Sequence, residues 1–288
     1  MATVDSLSGF GWTHGVVSKV GTGSASPRLL IFESPVALDS LLADISSACW
    51  TQGVEATRSF THLVRDRETR QTHRMEFDLA QTDALLSTTR AVRKRLDFDR
   101  EVPDDVLLEC LQLAVQAPTG SNRQGWRWMV IRDAEKKLAL ADIYRRVGGA
   151  YLAEAAKTTE AGSQTGRVMD SANFLAENLE RVPVMVIPLI IGRLDDGTTN
   201  SAAGLLGSII PAMWSFQLAL RSRGLGSCYT TLHLGAEAEA AELLGIPDHM
   251  TQAGLLPVAY TLGTDFKPAN RPPVEEITYL DTYKNPIR

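Results

Sequence analysis

The chain has 288 residues, 44% hydrophobic and 22% charged, the make-up of an ordinary globular protein with room for one large domain or two modest ones. Its formal net charge of −5 argues against a general nucleic-acid binder, which carries a basic surplus. Three widely spaced cysteines (Cys49, Cys110, Cys228) fit free thiols in a reducing cytoplasm better than a disulfide framework, and the five histidines lack structural zinc spacing.

Residues 1–74 open on a Gly/Ser-rich run, "SLSGFGWTHGVVSKVGTGSASP". A strand-like "RLLIFES", a helix-like "ALDSLLADI" and the polar "VRDRETRQTHR" follow. That is too little periodic apolar sequence for an independent domain. The expectation is a disordered or non-native N-terminal extension, with the main domain in residues 75–288 and Met75 as an alternative start. No basic residue precedes an early hydrophobic run, so a secretory signal is not expected.

From there "DLAQTDALLSTT" reads as a short helix starting near Thr82 or Asp83. It runs into "TTRAVRKRL", which packs Arg90, Arg93, Lys94 and Arg95 into six residues. Alone, such a run is a solvated face or a polyanion patch. An extended chain there presses Val92 inward and leaves Arg90 and Arg93 on sides that need not coincide. Next, "VPDDVLLECLQLAVQA" is a helix, with Pro103 and two acidic residues at its start. "APTGSNRQGW" breaks it and offers backbone amides and the side-chain amides of Asn122 and Gln124.

"RWMVIR" reads as a strand, and "DAEKKLALADIYRRV" as a helix capped by Asp133. Residues 148–166 lack a firm pattern and are expected to be mobile. "VMDSANFLAENLERV" is a helix and "VPVMVIPLII" a buried strand. Ser201 to Leu220 form a charge-free stretch long enough to span a membrane. Its serines, Gln217 and Pro211 favour one long helix in a core or subunit interface. "GLGSCYTTLHL" reads as a turn and strand, "AEAEAAELLGIP" as a helix stopped by Gly245, "LLPVAYTLG" as a last strand, and "TDFKPANRPPVEEITYLDTY" as an extended arm carrying Lys267 and Arg271. The mixture lacks βαβ alternation, so the fold class is α+β. Neither a dinucleotide fingerprint nor a P-loop is present. No catalytic dyad stands out; His233 is read as structural and Cys228 as a small buried residue.

Taken in order, the segments "TTRAVRKRLDFDREVPDDVLLECLQLAVQAPTGSNRQGWRWMVI", "LRSRGLGSCYTT", "LLGIP" and "LLPVAYTLG" resemble the nitroreductase family, in particular its actinobacterial branch, over roughly residues 80–275. The resemblance implies a mixed, largely antiparallel sheet flanked by helices, in an interlocked homodimer. It implies FMN as cofactor, NADH or NADPH as hydride donor, and a small nitroaromatic, quinone or similar electron acceptor. Carried over by position, Arg90, Ala91 and Arg93 meet the FMN phosphate and pyrimidine edge. Pro118, Thr119, Ser121 and Asn122 lie against the flavin from the partner subunit, Thr230 and Thr231 run near its ring, and Lys267 and Arg271 reach the phosphate. Lys94 and Arg95 are left as ordinary surface charge. The chain departs from the pattern at Ala91, where many members carry Ser, and at Gly125, where Pro is usual. Flavin-fragmenting, dehalogenating or dehydrogenating chemistry, or flavin binding without turnover, are the alternatives. Neither a nucleic acid nor a membrane is expected as partner.

Overall fold

The computed structural model describes residues 77–194 and 197–287, together with the backbone of two strands nearer the N-terminus. The chain divides into two units, residues 1–76 and 77–288. In the first, β1 (Val16–Val20) pairs antiparallel with β2 (Arg28–Phe32). The helix expected from "ALDSLLADI", and the character of the rest of the proposed extension, lie outside the described residues.

The second unit is built on a sheet ordered β3-β4-β7-β5, with the short β6 (Met250–Gln252) also paired to β4. β3 (Trp126–Ile131), β4 (Val184–Ile191), β5 (Leu225–Ser227) and β7 (Leu256–Tyr260) are antiparallel throughout. The continuous apolar run of β4 follows from its central place, because successive side chains enter opposite faces. Met185, Ile187 and Leu189 join one core, and Val184, Val186 and Ile190 join another.

The first core lies under α3 (Ala134–Thr158), α4 (Gln164–Asn178) and α7 (Glu237–Leu244). The second lies under α2 (Asp104–Ala114) and α6 (Ile210–Ser222), with α5 (Thr199–Gly207) at its margin. α1 (Leu79–Thr88) leads into the basic run. The α+β layout and antiparallel sheet agree with the expectation from sequence.

Four local readings are corrected. α1 starts earlier than Thr82, because the Asp78 carboxylate caps it by accepting from the Gln81 amide at 3.0 Å. Residues 148–166 are largely helical: α3 runs through Gly148 and Gly149 to Thr158 and α4 starts at Gln164. Gly148 marks a close approach, since a Cβ there would lie 2.4 Å from Leu232 Cδ1. The apolar stretch is two helices, broken at Ser208 and Ile209. Thr199–Ser222 meets the length and composition for a membrane span, yet Ile209, Met213, Phe216 and Leu220 are buried in the second core. Finally, β5 stops at Ser227 and the chain turns into a 3₁₀ helix, Leu232–Ala236, in place of a longer strand.

The basic run is fastened to the sheet by its backbone. The Val92 amide donates to the Ser227 carbonyl at 2.9 Å, and Ala91 forms a parallel bridge with Ser227. Val92 is buried against Gly226, where a Cβ would lie 3.0 Å from Val92 Cβ and 2.7 Å from Thr261 Cγ2. Gly226→Ala should therefore destabilise the protein by about 1–3 kcal/mol through overpacking. Urea unfolding of the variant checks this, and unchanged stability would contradict the packing account.

Candidate functional site

Beyond Val92 the backbone bends, and the Leu96 amide bonds back to the Arg93 carbonyl at 3.2 Å. Leu96 is buried and bridges Thr261, so Val92 and Leu96 anchor the run while its charges face outward. The bend brings Arg90 and Arg93 to one cavity of about 380 Å³, with Lys94, Arg95, Ser171, Asp265 and Lys267 also at its wall. The arm beyond β7 closes over this cavity, because Arg90 Nη1 donates to the Lys267 carbonyl at 2.8 Å.

The four charges of the run divide by partner. Lys94 pairs with Asp170 at 2.5 Å and Arg95 with Asp265 at 2.6 Å. Among the described residues, no carboxylate pairs with Arg90, Arg93 or Lys267. Three cations without a close ion pair therefore share one cavity, where the Asp265 carboxylate, held by Arg95, also feels Lys267, and the cationic excess favours an anion with several acceptor oxygens. Arg93 also makes a 3.4 Å contact with Ser171 Oγ, and its guanidinium lies beside the buried Cys228 thiol. On that side Tyr144 Oη and Thr230 Oγ1 share a hydrogen bond of 2.7 Å. The Ala91 position offers no hydroxyl, so its backbone is the only polar contact it can make.

The loop after α2 forms a different site. Ser121, Asn122 and Gln124 all have positive φ, at 52°, 52° and 51°. Non-glycine residues held in that region are strained, and local bonds sustain them. The Thr119 carbonyl accepts from the Asn122 amide at 3.0 Å, Thr119 Oγ1 accepts from the Gln124 amide at 3.1 Å, and Gln124 Nε2 donates to Asn122 Oδ1 at 3.0 Å. Ser208, at the α5–α6 break, ties the loop down. Its hydroxyl accepts from the Gly120 amide at 2.9 Å and its carbonyl accepts from Trp126 Nε1 at 2.8 Å. At Gly125 the carbonyl accepts from the Ile191 amide at 3.1 Å, a tether in the place where the usual proline is missing.

Thr119 and Ser121 line a second cavity of about 580 Å³, floored by Ile190, Ile191 and the start of α5. It shares no lining residue with the basic cavity. Of the residues singled out from sequence, Arg90, Ala91, Arg93 and Lys267 thus meet at one cavity and Thr119 and Ser121 at the other. Pro118 and Asn122 belong to the loop but line neither. Thr230 is held by Tyr144, and Thr231 is exposed at the start of the 3₁₀ helix. Arg271 is exposed, bonds among the described residues to the Asn270 carbonyl at 3.2 Å, and lines neither cavity. Ser171, Tyr144, Ser208, Asp265 and Phe266 escaped the sequence reading. Only "TDFKPAN" around Phe266 carried a signal, through its neighbour Lys267.

A family model described as the nitroreductase family matches residues 86–260. An NADH dehydrogenase of Thermus thermophilus is 26% identical over 211 residues, covering 67% of this chain and 95% of that protein. Among solved structures, oxidized iodotyrosine deiodinase bound to FMN and 3-iodo-L-tyrosine matches with a TM-score of 0.52 at 21% identity, over 70% of this chain and 98% of that one. A nitroreductase with bound FMN from Desulfitobacterium hafniense DCB-2 gives a TM-score of 0.50 at 22% identity, over 69% and 98% of the two chains. The two structures share the fold.

Two buried titratable side chains lie close by and neither is poised for chemistry. Burial pushes the Cys228 thiol up to about 11, against the pull of Arg93, so it stays protonated at neutral pH. Burial holds His233 down at about 4, against the opposing pull of the neighbouring Gln252 side chain and the Glu237 charge. A base with a depressed folded value contributes full stability above its unfolded value of about 6.5 and loses it as pH falls toward 4. Between pH 7.5 and 5 this one group should cost the wild type about 2 kcal/mol. His233→Leu should lack that part of the loss. Urea unfolding of both proteins at the two pH values checks this, and parallel losses would contradict the assignment.

Proposed function

Because the chain belongs to the nitroreductase family, we propose that it is an FMN-dependent oxidoreductase that passes electrons from NADH or NADPH to a nitroaromatic, quinone or similar acceptor. The observation that carries this reading is the convergence on one cavity of Arg90, Arg93 and Lys267, none of which makes a close ion pair among the described residues. A phosphate monoester is an anion that fits such a set. The chemistry the cofactor would supply is hydride acceptance from a nicotinamide and electron delivery to an acceptor.

The chain's own residues have simpler tasks. Arg90 and Arg93 are permanently charged, planar donors suited to phosphate oxygens, and Lys267 adds a third cation from the arm. Arg93 reaches from the cavity to the Cys228 and Tyr144 side, which favours the Thr230 segment as the neighbour of the flavin ring. No proton-transfer dyad is required of the protein, in keeping with a neutral His233 and a protonated Cys228.

The loop bearing Thr119, Ser121 and Asn122 serves, in this reading, the site of a second copy. Two separate cavities in one chain support a homodimer in which each flavin is held by the basic run of one copy and the loop of the other. So does the exposed apolar arm, where Val274, Ile277 and Tyr283 are 64%, 62% and 79% exposed. The setting proposed is cytoplasmic, with no nucleic-acid or membrane partner.

Flavin-free protein should take up FMN, and anaerobic NADH or NADPH should then bleach its visible absorbance. Uptake without reduction by either nicotinamide would reject the oxidoreductase and leave a flavin-binding protein. Arg90→Ala and Arg93→Ala should each weaken FMN binding by about tenfold to a hundredfold, measured by quenching of flavin fluorescence. At an FMN concentration too low to load either variant alone, Arg93→Ala and Asn122→Ala proteins unfolded and refolded together should regain roughly a quarter of wild-type sites, because half of the dimers are mixed and each holds one intact site. No recovery would contradict the shared site.

A further inference from the structure

The arm that carries Lys267 forms no helix or strand between β7 and the 3₁₀ helix Val274–Ile277. Something must nevertheless fix where Lys267 points. The ring of Phe266 is the one apolar group from this part of the arm that packs on the first core. Two guanidinium groups attend it: Arg95 Cζ lies 4.3 Å and Arg221 Cζ 4.7 Å from the ring centroid. Both arginines also hold the arm's backbone. Arg95 Nε donates to the Leu262 carbonyl at 2.8 Å and its Nη2 to Asp265 at 2.6 Å, while Arg221 Nη2 donates to the Thr264 carbonyl at 3.2 Å.

The arm is shaped around this grip. Gly263 has φ +78°, and a Cβ there would lie 2.5 Å from Arg95 Nη2. Arg221 stands in the last turn of α6, where the helix dipole favours a cation, and no carboxylate pairs with it among the described residues. Among the described residues its buried Nε has no hydrogen-bond partner, so the Phe266 ring face adds to the compensation that the Thr264 carbonyl gives its charge. Arg95, read from sequence as spare surface charge, is a fixed component of the same assembly.

Resting on the reading that FMN binds in the basic cavity, we propose that Arg95, Arg221 and Phe266 form a clamp of positioning residues that holds Lys267 against the cofactor's phosphate. The clamp acts on the phosphate end alone. It therefore separates FMN from riboflavin, which has the same ring system and no phosphate. Phe266→Leu is the informative variant, because it keeps an apolar side chain and changes no charge. Arg221→Gln tests the second jaw with a residue outside the cavity wall.

Binding of FMN and of riboflavin to full-length, flavin-free protein is measured by fluorescence, with circular dichroism confirming the fold of each variant. The expected result is FMN binding about tenfold weaker in Phe266→Leu and in Arg221→Gln, with riboflavin binding unchanged. Phe266→Tyr should restore FMN binding, since it returns the ring face. In a Lys267→Ala background Phe266→Leu should cause no further loss, because the clamp acts through that lysine. Equal losses for both ligands, no loss for either, or an additive loss beside Lys267→Ala would overturn the clamp. A wild type that binds neither ligand would instead overturn the flavin reading, and the clamp with it.

Discussion

The hydrogen bond from the Val92 amide to the Ser227 carbonyl, 2.9 Å long, sets the position of everything that follows. It turns a run of four basic residues from a free surface segment into a rib laid on the end of β5. Val92 then fills space left by Gly226, Leu96 meets Thr261, and the cationic side chains have only one side on which to emerge. Because β5 neighbours β7, the same rib stands beside the point where the arm leaves the sheet. The Thr230 segment follows directly from Ser227. One backbone contact thus gathers three distant parts of the chain around a single cavity.

Charge pairing then sorts residues that look alike. Exposed ion pairs contribute little to stability because water screens them, so Lys94–Asp170 and Arg95–Asp265 matter less as stabilisers than as neutralisers. They remove two charges from the cavity wall and leave Arg90, Arg93 and Lys267 as those an anion can answer. At the other cavity the expense is backbone strain in Ser121, Asn122 and Gln124, sustained by bonds within the loop and by Ser208. Both sites hold polar groups in arrangements that packing alone does not need.

Much of the fold was legible because its signals are local. Asp133 capping α3, the β-branched run of β4 and the stop of α7 at Gly245 can each be read within a few residues. The failures share one cause, which is that the deciding partner is remote. Residues 148–166 showed no firm pattern, whereas the close approach of Leu232 explains why Gly148 stands inside the helix. The chain after Ser227 resembled a strand, but Thr230 exchanges two backbone bonds with Leu255, at 3.1 and 2.8 Å, and the chain then turns into the 3₁₀ helix.

The site divides in the same way. Arg90 and Arg93 could be picked from their motif, while the different fate of Arg95 depends on Asp265 and Phe266, which no spacing rule connects to it. Ser171 and Tyr144 belong to helices whose sequence pattern records only packing. The most direct test of the central claim is the phosphorus resonance of FMN bound to the full-length protein, followed through the neutral pH range. A free phosphate monoester titrates near pH 6, and three adjacent cations should hold it dianionic well below that. The account predicts a bound resonance that does not move between about pH 7 and 5.5. A bound phosphate that titrates like the free ester would contradict it.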